Sequence, residues 1–185
     1  HFLSQKPIKT VADLRTSKSW LWEGDPLVEQ AYEAMDVQPI PFSITDVLLS
    51  LQTGMVDTVY SSTQGALVFQ WFTKVKYITR LRMSYATGGV LISKKKFKKL
   101  PPAYQKALKK IGSEHFSDLS AVIQEDNLKA EQVLENNGIK WIPQPDPSAL
   151  TQFQQAGVTT RQKLSGKLFP RKLLKKVLQH LEEVR

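Results

Sequence analysis

The sequence predicts an α/β protein with a largely parallel sheet that gives way to helices. Three observations carry this expectation. Before Pro101, short aromatic or β-branched runs alternate with segments whose apolar residues recur at helical spacing. Cap and turn residues stand at the junctions, as in the pair Asp25–Pro26 and at Gly54. After Pro101 the pattern becomes one long helix, a late strand and two further helices.

In chain order, "KSWLWE" (18–23) reads as a strand by its aromatic residues. Asp25 caps a helix with Pro26 at its first position, and Leu27, Val28, Ala31, Tyr32 and Met35 follow at helical spacing. "VQPIPF" (37–42) is extended, because its prolines forbid helix. Ser43 and Asp46 form an acidic capping box before Val47, Leu48, Leu51 and Met55, and Gly54 ends that helix. "DTVYSS" (57–62) is a strand, and Thr63 or a neighbouring serine caps a helix carrying Leu67, Val68, Trp71 and Phe72. Strands are expected at 75–81 ("VKYITRL") and 88–94 ("GGVLISK"), with "ATGG" (86–89) as the turn between them. Residues 102–136 form the long helix, with a stripe through Tyr104, Leu108, Ile111, His115, Leu119, Val122, Ala130 and Val133. Asn137 and Gly138 stop it. "IKWIP" (139–143) is a strand, and helices near 147–163 and 170–183 finish the chain.

Composition narrows the function. The chain has 185 residues, 41% of them hydrophobic and 23% charged, which suits a globular protein with a real core. No run of 18 apolar residues exists to span a membrane. Cysteine is absent, which removes disulfides and thiolate chemistry. His1, His115 and His180 are too far apart for metal-ligand spacing, so neither a metal nor any other cofactor is expected. Asp46 and Asp57 form no acid–base pair, Ser61 and His115 no dyad, and "ATGG" is no phosphate cradle, so no enzyme is expected.

The net charge of +9 raises a second class, a basic helical module that binds nucleic acid or an anionic surface. The lysines of "SKKKFKKL" (93–100) bracket one aromatic residue, Phe97, where a base-stacking platform would interleave several. They read as a solvated face with Phe97 turned inward, and nucleic acid is not the expected partner.

Ligands of parallel α/β sheets sit beyond the carboxyl ends of the strands. Trp20, Trp22, Tyr60, Ser61 and Ser62 stand at such ends. The competing reading buries both tryptophans against helix 26–35 and leaves the serines as caps.

The order "KPIKTVADLRTSKSWLW", "QPIPFSITDVLLSLQTGMVDTVYSS", "VKYITRL", "GGVLISKKKFKKLPPAYQKAL" resembles the second half of the dicarboxylate-type solute-binding proteins of TRAP transporters, the tripartite ATP-independent periplasmic systems. "DVLLSLQTGMVDTV" is the most specific piece. The resemblance implies a periplasmic-binding-protein-like (type II-like) lobe, with a long lobe-bridging helix and C-terminal helices. It implies a periplasmic, non-enzymatic receptor that closes on a small organic solute and delivers it to a membrane permease. It also implies a preceding lobe, largely absent here, so the chain reads as part of a longer protein whose signal peptide is not in this chain. The expected divisions are an α/β lobe at 1–74, crossover strands toward the other lobe at 75–100, and the bridging helix, late strand and C-terminal helices at 101–185.

Three positions depart from the resemblance. Its carboxylate-gripping arginine falls on Trp20, its cleft phenylalanine on Ile44, and its asparagine after Val-Asp-Gly on Ser61. Trp20 offers one N–H and an apolar face where an arginine would offer a bidentate charged fork. The expected ligand-binding residues are therefore Trp20, Trp22, Ile44, Tyr60, Ser61 and Ser62. The expected solute has an apolar or aromatic portion, with recognition of a carboxylate left open.

Overall fold

Alternation of side chains across very short strands gives this chain two cores, one on each face of a sheet. The computed structural model describes residues 1–85 and 88–184. The strands are β1 (Phe2–Ser4), β2 (Trp20–Trp22), β3 (Ile40–Phe42), β4 (Thr58–Tyr60), β5 (Tyr77–Thr79) and β6 (Lys140–Ile142). Four of them form a sheet in the order β4-β1-β5-β6, and a parallel bridge from Ser19 to Thr58 joins it to the β2–β3 pair. β1 is antiparallel to both β4 and β5, while β2 with β3 and β5 with β6 pair in parallel. Five strands thus share one direction, and their carboxyl ends share one edge.

Successive residues point to opposite faces. Leu3, Trp20, Val59 and Ile78 enter one core, with Val47, Leu51, Ala66, Trp71 and Leu134. Phe2 and Leu21 enter the other, with Leu14, Val28, Tyr32, Met35 and Ala156. The helices α1 (Val11–Arg15), α2 (Pro26–Ala34) and α7 (Pro147–Leu164) cover the second face. The helices α3 (Val47–Thr53) and α4 (Thr63–Val68), with the foot of α6 (Pro102–Asn136), cover the first.

Several local signals act as expected. Asp25 Oδ1 accepts from the N–H groups of Leu27 and Val28 at the start of α2. Ser62 Oγ accepts from the Gly65 N–H and caps α4. Gly54 closes α3 at φ 70°, a conformation that favours glycine. Pro41 lies inside β3, an edge strand that tolerates a missing donor.

Other expectations are corrected. β1 and α1 were not foreseen, yet β1 is an inner strand. β5 and β6, beyond residue 74, belong to the same sheet as β1 and β4, and α7 packs on its second face. Ser43 accepts from Thr45 N–H and starts a 3₁₀ turn, and Asp46 caps α3 without a side-chain bond, so no capping box forms. Trp71 leaves α4: Gln70 takes a left-handed turn, and Trp71–Thr73 form a separate 3₁₀ turn. No strand forms at 88–94. Residues 88–93 are irregular, and α5 (Lys94–Phe97) begins where the strand should end. A strand needs a neighbour for its backbone groups, and among the described residues none pairs with this segment. Ala86 and Thr87 of the expected turn lie outside the described residues.

The long helix forms as read but is only half docked. Ala130 and Leu134 are buried at its foot, where Thr63 Oγ1 donates to the Asn127 carbonyl at 2.8 Å. Beyond that clamp, Leu108, Ile111, Phe116, Leu119 and Val122 are all exposed. The last helix, α8 (Arg171–Val184), likewise exposes Leu173, Val177 and Leu181.

Leu134 is fully buried in the first core, so its truncation should cost about 2 to 5 kcal/mol through lost transfer energy and a cavity. Urea denaturation of Leu134→Ala checks this, and a loss under about 1 kcal/mol would mean that the foot of α6 is not docked.

Candidate functional site

Trp20 at the start of β2 meets Tyr60 at the end of β4 in an aromatic stack, and Trp22 at the end of β2 joins it through Tyr60. Trp20 is 2% exposed. Its indole lies 4.9 Å from the Tyr60 ring in a stacked arrangement, and the edge of Trp71 meets it at 5.3 Å. Its N–H donates to the Phe42 carbonyl at 3.1 Å. The expectation that Trp20 offers an open face is therefore corrected. Its donor is used and its faces are covered, so it forms the floor beneath Tyr60. It also packs on the α3–α4 side of the sheet, away from helix 26–35.

Tyr60 is half-buried above that floor. Its hydroxyl accepts from the Trp22 backbone N–H at 3.1 Å and donates to Asp25 Oδ2 at 3.3 Å. Burial pushes the Tyr60 hydroxyl's pKa up, and the neighbouring Asp25 charge pushes it the same way. It stays a neutral donor at any physiological pH. Asp25 thus has two tasks, capping α2 with one oxygen and fixing Tyr60 with the other. That second task had no signal in the sequence, since residues 25 and 60 lie on separate strand ends.

Trp22 is 49% exposed, an aromatic face open at the strand end. Ser61 is half-exposed, and its N–H donates to the His1 carbonyl at 3.1 Å. A Cβ at position 65 would collide with Ser61 Oγ, so Gly65 makes room for the serine at the start of α4. Ser62 is exposed and occupied as the α4 cap. Ile44 is partly buried and packs against the first core, which contains Trp20 and Trp71. The edge thus offers an open indole, a tyrosine held rigidly, small hydroxyls and the carboxylates of Glu23 and Asp25. Lys18, at the opposite end of β2, donates to the Gly54 carbonyl.

Among the described residues no group of three potential ligands could hold a metal ion, and no helix is long and apolar enough to cross a membrane. The lysines at 94–96 are exposed, and Phe97 is half-buried with the Lys109 ammonium 5.6 Å from its ring.

The family profile of bacterial extracellular solute-binding protein, family 7, matches residues 1–165. A curated relative, the 2,3-diketo-L-gulonate-binding periplasmic protein YiaO of Escherichia coli (strain K12), is 26% identical over 148 residues, covering 80% of this chain and 45% of the relative. The chain therefore spans about half the length of the curated relative it matches. A TRAP periplasmic solute-binding protein from Xanthobacter autotrophicus Py2 with bound β-D-galacturonate superposes with a TM-score of 0.83 at 18% identity, over 96% of this chain and 57% of the other. One from Desulfovibrio salexigens with bound orotic acid gives 0.82 at 20% identity, over 100% and 60%. These likenesses establish the fold as that of the TRAP periplasmic binding proteins, with the long helix and C-terminal helices in place.

If Trp20 is floor, removing it should damage the fold first. Trp20→Ala should lose about 3 to 5 kcal/mol in urea denaturation. A variant as stable as the native chain would return Trp20 to the surface.

Proposed function

The chain belongs to the family 7 bacterial extracellular solute-binding proteins, and from that membership we propose that it is the solute-gripping lobe of a TRAP-type receptor. In this reading a second lobe, from a further part of the same protein, closes on a small organic solute over the ends of β2, β3 and β4. The receptor then delivers the solute to a membrane permease. It works outside the cytoplasm and performs no catalysis.

One observation carries the reading. The matched family segment runs through the strand ends of Trp22, Tyr60 and Ser61, while the apolar stripe of α6 continues past the lobe exposed. Large exposed apolar surface marks an interface. A second lobe over that stripe would face the aromatic edge. It would also supply the neighbour that segment 88–93 lacks, making 75–100 a crossover between lobes. Trp22, Tyr60 and Ser61 contact the solute, while Trp20, Ile44 and Ser62 support them. The bound acids of the relatives are theirs; on this edge an aromatic face and neutral donors stand where a cation would grip a carboxylate, which favours a solute with a flat or apolar portion there.

Two outcomes are expected. Closing the rest of the Trp22 indole, about half of a 150–250 Å² side chain, is worth at most about 2 to 3 kcal/mol. Calorimetry on the full-length protein should therefore show Trp22→Ala binding solute about 10- to 50-fold more weakly with its thermal midpoint unchanged. Equal affinity in that variant would remove this edge from the site. Second, the 185-residue chain alone should self-associate in size-exclusion chromatography at micromolar concentration, and the full-length protein should not. A clean monomer of the short chain would mean that the α6 stripe needs no cover.

A further inference from the structure

The chain's excess charge is concentrated in one stretch. Of its 26 basic residues, nine fall between 82 and 113, where no aspartate or glutamate occurs. The other 17 basic residues are matched by all 17 acidic ones, so this stretch carries the whole net charge of +9. Eight of the nine are lysines: five between 94 and 99, in and just after α5, and Lys106, Lys109 and Lys110 in the first turns of α6. All eight are exposed. Among the described residues only Lys110 meets a carboxylate, that of Glu114 at 3.9 Å.

The fold joins these lysines into one face. Ser93 Oγ accepts from the Lys96 N–H and starts α5. Phe97 on α5 is half-buried, with the Lys109 ammonium 5.6 Å from its ring, which sets α5 against the lysine side of α6. At about 3.6 residues per turn, Lys106, Lys109 and Lys110 share one side of α6, while Tyr104, Leu108, Ile111 and Leu119 share the opposite side. A second lobe over the apolar stripe therefore leaves the lysine side outward. Lysine ammonium groups are strongly hydrated and almost never fully buried unless paired, so this face stays in water in the whole protein. Between its lysines this side of α6 carries small or polar residues, such as Ala103 and Ser113. It has no apolar wedge for acyl chains and no interleaved aromatics to stack bases. It offers many point charges on flexible stems, which fit a broad surface of mobile anions.

We propose that this face docks the receptor on an anionic lipid bilayer, with its lysines over the phospholipid headgroups and no insertion. The proposal rests on the receptor reading, in which a second lobe covers the stripe and the permease lies in a membrane. It adds to that reading the contact that holds the receptor near the membrane. Each lysine close to an anionic surface strengthens binding by about fivefold, and the attraction fades within a Debye length of about 8 Å at physiological salt.

The test is sedimentation of the full-length protein with vesicles of phosphatidylcholine alone or with about 30 mol% phosphatidylglycerol. The anionic vesicles should bind at least about tenfold more tightly at about 0.05 M NaCl and lose that preference at about 0.5 M. The triple variants Lys94→Gln/Lys95→Gln/Lys96→Gln and Lys106→Gln/Lys109→Gln/Lys110→Gln should each weaken the binding by about 10- to 100-fold. Arginine at the same positions should retain it, and thermal midpoints and solute affinity should match the native protein. Lys172→Gln/Lys175→Gln/Lys176→Gln on α8, which removes the same charge elsewhere, should leave most of the binding. Equal binding to both kinds of vesicle overturns the proposal, as does a loss confined to the α8 variant. Binding only when the permease is present in the vesicles overturns the lipid partner in favour of an acidic protein surface. Loss of solute affinity in either lysine triple places those lysines in the cleft and overturns the docking face. The receptor reading is judged apart from all of these, by solute binding to the native protein.

Discussion

The indole of Trp20 ties together the end of the sheet on which everything else rests. Its N–H reaches across to the Phe42 carbonyl, so β2 and β3 are joined by a side chain as well as by their ladder. Its ring lies under Tyr60 on β4 and beside Trp71 on the turn after α4. With strands of only three residues each, backbone pairing alone gives few hydrogen bonds per strand. An aromatic cluster across β2, β4 and the turn after α4 adds burial and geometric preference that short ladders lack. Tyr60 inherits its rigidity from that floor, and through Tyr60 so do Trp22 and Asp25.

What the sequence made legible was local, and what it hid was pairing. The Asp25–Pro26 start of α2, the glycine end of α3 and the length of α6 all depend on residues within one or two turns. β1 escaped notice because "FLS" has no period of its own; it becomes a strand only because β4 and β5 present open edges on both sides. Residues 88–94 failed in the opposite sense. "GGVLISK" has strand propensity, but propensity is satisfied only by a neighbour. The period of two puts Trp20 and Trp22 on one side of β2, yet one is 2% exposed and the other 49%. One is inside the sheet, and the other is at its rim. No spacing rule separates those cases.

The half-docked α6 shows how the fold divides its stability. Its foot is held by buried Ala130 and Leu134 and by the Thr63–Asn127 clamp, where Gln64 N–H also donates to Asn127 Oδ1. Its remaining turns have an apolar stripe in water, so the helix there is maintained by its own hydrogen bonds and by pairs such as Glu125–Lys129. Such i,i+4 pairs contribute only about 0.2 to 0.5 kcal/mol each. Helices in water draw most of their stability from packing of one face. The projecting part is therefore the least stable part of the fold, and the part whose order most depends on what covers it.

The same economy governs charge at the strand ends. A guanidinium in the place of the Trp20 indole would sit between Tyr60 and Trp71, out of water, and would need a carboxylate there to offset its desolvation. The indole needs no counterion, because a backbone carbonyl satisfies its only donor. This frees the floor from dependence on a bound anion, but it leaves Glu23 and Asp25 as the local charges of the rim. An acid approaching that rim meets carboxylates. The indole at position 20 therefore leaves the charge of this rim to Glu23 and Asp25 alone.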